Sequence, residues 1–365
     1  MKKISSAIII ALIALTSCKT DQSGGTADSN DPKSQFLRSL TKLGNDFIDV
    51  FTAFGGLIAD SLGLKGDPKK DDVQKYFKAL SEQLKKTKES LEKLKVPSKE
   101  TSKGAEAGVA GAAAGKGAGG NSLASVGKVS GWLEKMSKGA AEAEKAATGG
   151  DKSVGDNAAN GVAADAGSVT GIAKGIKAIV EAAKEAGKEA GKEITLEQGK
   201  EEEADTNKEA GKLFGTTANA AGAAGADDAR KGAAAVTAAS GQQILSAIVE
   251  AASSTEGKRA GDAKNAVEAA IGDGDAAEFG NDDMKKRSDR IAAAIALRGM
   301  AKGGKFSAQA GGGGNAAAKG AAGAAVAKAL GAVTEIVRKA VEAGLQMVAA
   351  DVKKAGDGST GSVGE

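Results

Sequence analysis

The chemistry open to this chain is set first by what is scarce. Among 365 residues there is no His and a single Cys, Cys18. Without imidazole there is no His-dependent triad, no imidazole general base and no His-bearing zinc site. A lone thiol closes no internal disulfide. The thiol that is present stands in a telling place. Lys2 and Lys3 precede an apolar run from Ile4 to Leu15. That run is too short for a span of about 20 residues but suits the h-region of a secretory signal. It ends in Leu15-Thr16-Ser17-Cys18, the pattern of a lipobox: a branched residue, two small residues, then a thiol placed to receive diacylglycerol. Residues 1–17 read as a lipoprotein signal peptide and Cys18 as the lipidation site. The mature chain would then be tethered to a membrane without crossing it, each buried CH2 adding about 0.8 kcal/mol.

Other constellations weaken on inspection. Gly115, Gly117 and Gly120 fit the spacing of a dinucleotide loop, but no strand precedes them and a chain with 53 Gly produces such matches by chance. Asp273, Asp275, Glu278, Asp282 and Asp283 gather acidic groups, yet Ala277 takes a ligand position and the bidentate Glu is out of place, so a solvated loop is expected. Glu185, Glu189, Glu193, Glu197 and Glu201 recur every fourth residue with Lys between them, a wet helix face rather than a catalytic pair. Gly167, Gly171 and Gly175 lie on one face of a helix, which suits close approach to a neighbouring helix. From Met284 to Phe306, Lys285, Lys286, Arg287, Arg290, Arg298, Lys302 and Lys305 face Asp289 alone. The first four of these, Lys285, Lys286, Arg287 and Arg290, are the candidate polyanion-binding residues. The competing reading is a basic entry to a buried helix, favoured by the run Ile291-Ala-Ala-Ala-Ile-Ala-Leu297.

The elements that must hold these residues are helical. Phe36, Leu40, Leu43, Phe47, Val50, Phe54 and Leu57 form a seam of alternating four- and three-residue steps. Val73, Phe77, Leu80, Leu84, Leu91 and Leu94 follow on a second helix, with Asp71 and Asp72 at its start and Lys93 near its end. Val326, Leu330, Val333, Val337, Val341, Leu345, Val348 and Val352 share a broad face of a last long helix. Between them the chain has no Pro after Pro97, and helices are expected over 121–147, 153–190, 206–222, 228–252, 257–271, 284–301 and 320–354. Strands have little claim. The 41% hydrophobic content is largely Ala, which buries little area per residue, so thin packing is expected, with the two ends forming the bundle and the Ala/Gly middle decorating it. With 50 Lys and Arg against 47 Asp and Glu, interspersed, no nucleic-acid partner is expected. The division is a signal peptide 1–17, a flexible tether 18–33 of roughly 20 Å reach, a single mainly helical domain 34–354 and a disordered tail 355–365.

The segment Met284-Lys-Lys-Arg-Ser-Asp-Arg-Ile-Ala-Ala-Ala-Ile-Ala-Leu-Arg-Gly-Met-Ala-Lys-Gly-Gly-Lys-Phe306 closely resembles the invariable segment of the variable large proteins of Borrelia and of the related variable surface antigen of Lyme spirochaetes. The lipobox, the opening amphipathic helices and the apolar last helix fit the same family. The resemblance implies an all-α, elongated helical bundle with its N- and C-terminal helices packed together at the membrane-proximal end and the variable segments distal. It implies an outer-surface lipoprotein of antigenic variation and immune evasion, held in the outer membrane by lipid on Cys18 and met by host antibodies, with no catalysis and no cofactor. An adhesin for host glycosaminoglycans is the competing function. A homodimer is expected if much of the Phe36 to Leu57 stripe stays exposed in one subunit.

Overall fold

The computed structural model describes residues 32–57, 67–94, 120–217, 223–309 and 313–357. The signal peptide, Cys18 and the tail beyond Asp357 lie outside the described residues, as do the side chains from Val50 to Leu57. Helix α1 spans Pro32–Leu57, so the last two residues of the expected tether already belong to it. Phe36, Leu40, Leu43 and Phe47 are buried, which bears out the described half of the seam. This face packs on the next helix and on the last one, with Gly44 against Leu345.

Helix α2 spans Lys70–Lys93. Asp72 accepts the Lys69 amide at 3.0 Å and so satisfies one of the open N–H groups of the first turn. Val73, Phe77, Leu80, Leu84 and Leu91 are sealed as their spacing predicts. Helix α3 (Gly120–Ala146) runs back along α2, since Ser137 meets Ser81 while Glu134 meets Lys88. Helix α4 (Ala166–Glu189) returns along α3, with Gly175 at Gly139 and Glu189 at Lys128. The Gly stripe is used for close approach. A Cβ at Gly175 would stand 2.5 Å from the Gly139 oxygen and 2.7 Å from the Ala143 nitrogen. Gly175→Ala should therefore force the helices apart and cost about 2 kcal/mol, read from denaturant unfolding. An unchanged midpoint would mean that the α3–α4 seam can yield.

The rest of the middle is more broken than its sequence suggests. After two-residue strand β1 (Asn157–Ala158) and α4 comes a 3-10 helix at Lys208–Phe214, in place of a helix over 206–222. Helices α5 (Ala226–Ala238) and α6 (Gly241–Ala251) replace one over 228–252 and bend by 103°. Ser240 makes that corner, its hydroxyl accepting the Gln243 amide at 3.1 Å. Helix α7 keeps only Ala266–Ile271, opened by Asn265. The helix expected over 284–301 divides into α8 (Asp282–Lys285) and α9 (Ser288–Met300). Strand β2 (Phe306–Ser307) pairs parallel with β1, and α10 runs Gly314–Asp357.

At 44 residues, α10 is about 66 Å long. It is long and apolar enough to cross a membrane, yet its apolar face from Val326 to Val352 is buried among the other helices. The expectation that the end helices form the bundle while the middle decorates it is corrected. Every residue of α9 from Ile291 to Leu297 is 0% exposed, and α9 touches α2, α4, α5, α6, α7, α8 and α10. Ala gains little area singly, but its small size lets several backbones converge on one helix, and the many close contacts add up.

Candidate functional site

The basic segment at α8–α9 is built by local caps. Asn281 accepts the Asp283 amide at 3.0 Å and starts α8, which turns Lys285 and Lys286 back over Asp282. Lys285 lies 2.8 Å from Asp282, and Lys286 lies 3.0 Å from Asp282 and 3.4 Å from Glu201. Arg287 grips Asp289 through two bonds of 2.8 and 2.7 Å. Arg290 reaches Asp283 at 2.9 Å and Glu250 at 3.4 Å. Asp282 and then Glu201 hold the Lys286 ammonium above its ordinary value, as Asp289 does for Arg287. Asp282 is correspondingly held below the usual carboxylate range by Lys285 and Lys286.

The structure thus brings the four predicted cations together, but it places five carboxylates among them: Asp282, Asp283, Glu201, Glu250 and Asp289. Asp282 and Asp283 fall just ahead of Met284, and Glu201 and Glu250 come from distant segments. Counting charge from Met284 onward missed all four. The expected Glu row ends early as well. Gly191, at φ +69°, stops α4, and Lys192 donates its amide to Gly187 at 2.8 Å. Glu197 then accepts from Ser240 at 2.7 Å rather than extending a wet helix face.

A second set of cations closes helix ends, two of them from within the core. Lys70 is 1% exposed and donates to the carbonyls of Arg298 at 3.4 Å, Gly304 at 3.0 Å and Ala301, closing the C-terminal end of α9. Arg298 is 0% exposed and donates to Ala270 at 2.9 Å and Ile271 at 3.0 Å, closing α7, and to Leu213 at 3.4 Å. Its guanidinium carbon sits 5.2 Å from the Phe214 ring centre. Lys328 on α10 donates to Val236 at 2.6 Å and Ala239 at 2.8 Å, closing α5. Three helix ends are served by side chains from other elements; those of α7 and α9 lie where water cannot serve their carbonyls, while that of α5, under half-buried Lys328, lies nearer the surface. Burial pushes the Lys70 ammonium down to about 8, against a pull upward from Asp156, and pushes Lys328 down as well. Arg298 has a sequence signal, a charge inside an otherwise apolar run. Lys70 and Lys328 have none.

The comparisons with known proteins agree with this architecture. A model of the Borrelia lipoprotein family matches residues 47–352. The chain is 34% identical to variable large protein 17 of Borrelia hermsii over 84% of this chain and 79% of that one. It is likewise 34% identical to variable large protein 4 of Borrelia hermsii, over 95% of this chain and 92% of that one. Its fold matches the crystal structure of the Lyme disease variable surface antigen VlsE of Borrelia burgdorferi with a TM-score of 0.67 and 43% identity, covering 87% of this chain and 99% of that one. A buried α9 hub, a long C-terminal helix over an N-terminal partner and this shared sequence have one common explanation: the chain belongs to the Borrelia lipoprotein family, as a variable large protein.

Proposed function

We propose that this chain is an outer-surface lipoprotein, held in the outer membrane by lipid on Cys18, which works by antigenic variation. One exposed face replaces another over a constant interior, so that host antibody against the first misses the second. In this reading it performs no catalysis and takes no cofactor. The observation that carries the proposal is the burial of the centre of the segment on which the family resemblance rests: Ile291 to Leu297 is 0% exposed. The exposed positions are largely Lys, Glu, Gly and Ala, and exchanges there change stability by less than about 0.5 kcal/mol. Among the described residues one large apolar side chain, Val162, stays exposed, at 44%. Such a surface suits a dense coat whose neighbours must not adhere.

Protease treatment of intact cells should remove the protein; complete protection would refute surface display. Cys18→Ala should move it from the detergent phase to the aqueous phase on partition, and retention in detergent would refute the lipid anchor. Serum raised against this chain should fail on a second variable large protein, and equal binding would count against antigenic variation. The adhesin reading must displace the carboxylates already seated on Lys285, Lys286, Arg287 and Arg290. It regains ground only if heparin retention is salt-sensitive and disappears when these four become Ala. The argument for a homodimer loses Phe36, Leu40, Leu43 and Phe47, which are covered within one subunit.

A further inference from the structure

We infer that Asn160 is a site of spontaneous deamidation, by which an exposed loop of the protein gains negative charge after synthesis. Asn160-Gly161 is the sole Asn-Gly pair in the sequence. It lies in the bend after β1, and Asn160 is exposed. Its carboxamide has no hydrogen-bond partner among the described residues, and neither has the Gly161 amide, although the next amide, of Val162, donates to Lys305 at 3.1 Å. Both reacting groups are therefore unengaged. Gly161 is also fixed as Gly: a Cβ there would run into the Gly215 oxygen and stand 2.9 Å from the Lys305 oxygen and the Ser307 nitrogen. The position cannot carry the side chain that would shield its nitrogen.

The reaction needs only water. The Gly161 nitrogen attacks Cγ of Asn160 and gives up its proton, the Cγ–Nδ2 bond breaks, and ammonia leaves a cyclic imide. Water then opens the imide at either carbonyl, giving Asp or isoaspartate. Asn157, three residues earlier, is the internal reference. It precedes Ala158, and its Nδ2 donates to Gly155 at 2.8 Å and to Asn315 at 3.3 Å. Either product places a carboxylate beside Val162, the exposed apolar side chain. Isoaspartate also lengthens the backbone next to the paired Val162 and Lys305 amides. The face offered to antibody would then change without any change of sequence.

The test holds the purified, folded full chain in mildly alkaline buffer and follows the tryptic peptide between Lys152 and Lys174 by fragment-resolved mass spectrometry, with isoaspartate methyltransferase as a second readout. Conversion is expected at Asn160 within about threefold of the rate in the urea-unfolded chain, because no opening of the fold is needed. Asn157 should stay intact, and Asn160→Gln, an exposed exchange, should abolish the signal. Protection of Asn160 by more than about tenfold in the folded chain, the mark of a site that reacts only on unfolding, would overturn the inference. So would equal conversion of Asn157.

Discussion

Arg298→Ala will destabilise the protein by about 4 kcal/mol, a large share of the 5–15 kcal/mol typical of a folded domain. Two losses combine. Removing a fully buried side chain leaves a cavity at the centre of the α9 hub. The carbonyls of Ala270 and Leu213 lose their donors in a place closed to bulk water, at about 1–3 kcal/mol for each group left unpaired, while that of Ile271 keeps the Ala164 amide at 3.0 Å. Water entering the new space will recover part of this. Arg298→Lys keeps the charge but offers one nitrogen where three were used, and it should cost about half as much. The check is denaturant unfolding of both variants beside the parent. A loss under about 1 kcal/mol for Arg298→Ala would show that the hub does not depend on this cap.

Lys70→Met should cost about 3 kcal/mol at neutral pH, because the carbonyls of Arg298 and Ala301 at the end of α9 and of Gly304 in the turn beyond it lose their donors while the side-chain volume is nearly kept. The pH dependence runs against the common case. The folded-state value is about 8 and the ordinary value is 10.5. Between these limits the unfolded chain binds the proton that the folded chain has released, so parent stability gains from this group as pH rises from about 8 to 10.5. Met does not titrate. The gap between parent and variant should therefore widen over that window, and a gap that narrows would mean that the three carbonyls hold the ammonium more firmly than burial opposes it.

The legible parts of this fold were those written in large side chains. Phe36, Leu40, Leu43 and Phe47, the Val73 to Leu91 row and the Val326 to Val352 face were each assigned to the correct helix and to the core. Their spacing alone requires one buried stripe. The Ala/Gly middle was misread because Ala serves equally on a surface and in a core; hydropathy does not say which. Its corners were missed for a related reason. Ser240, Asn265 and Asn281 end or begin helices through single local hydrogen bonds, and nothing in an Ala-rich run distinguishes a capping Ser or Asn from an exposed one. The basic segment was legible as a cluster but not as a neutralised one, since Glu201 and Glu250 reach it only through the fold.

By itself, the sequence determined the helical class, the three apolar helices, the absence of imidazole chemistry and the family, because these follow from residue type and near-neighbour spacing. The tertiary structure alone decided that an alanine helix is the hub and that Lys70, Arg298 and Lys328 close the ends of other helices. It also decided that the four cations of the basic segment, Lys285, Lys286, Arg287 and Arg290, are already paired. Those outcomes depend on which distant backbones come within hydrogen-bonding distance, and small side chains leave that to be settled by packing.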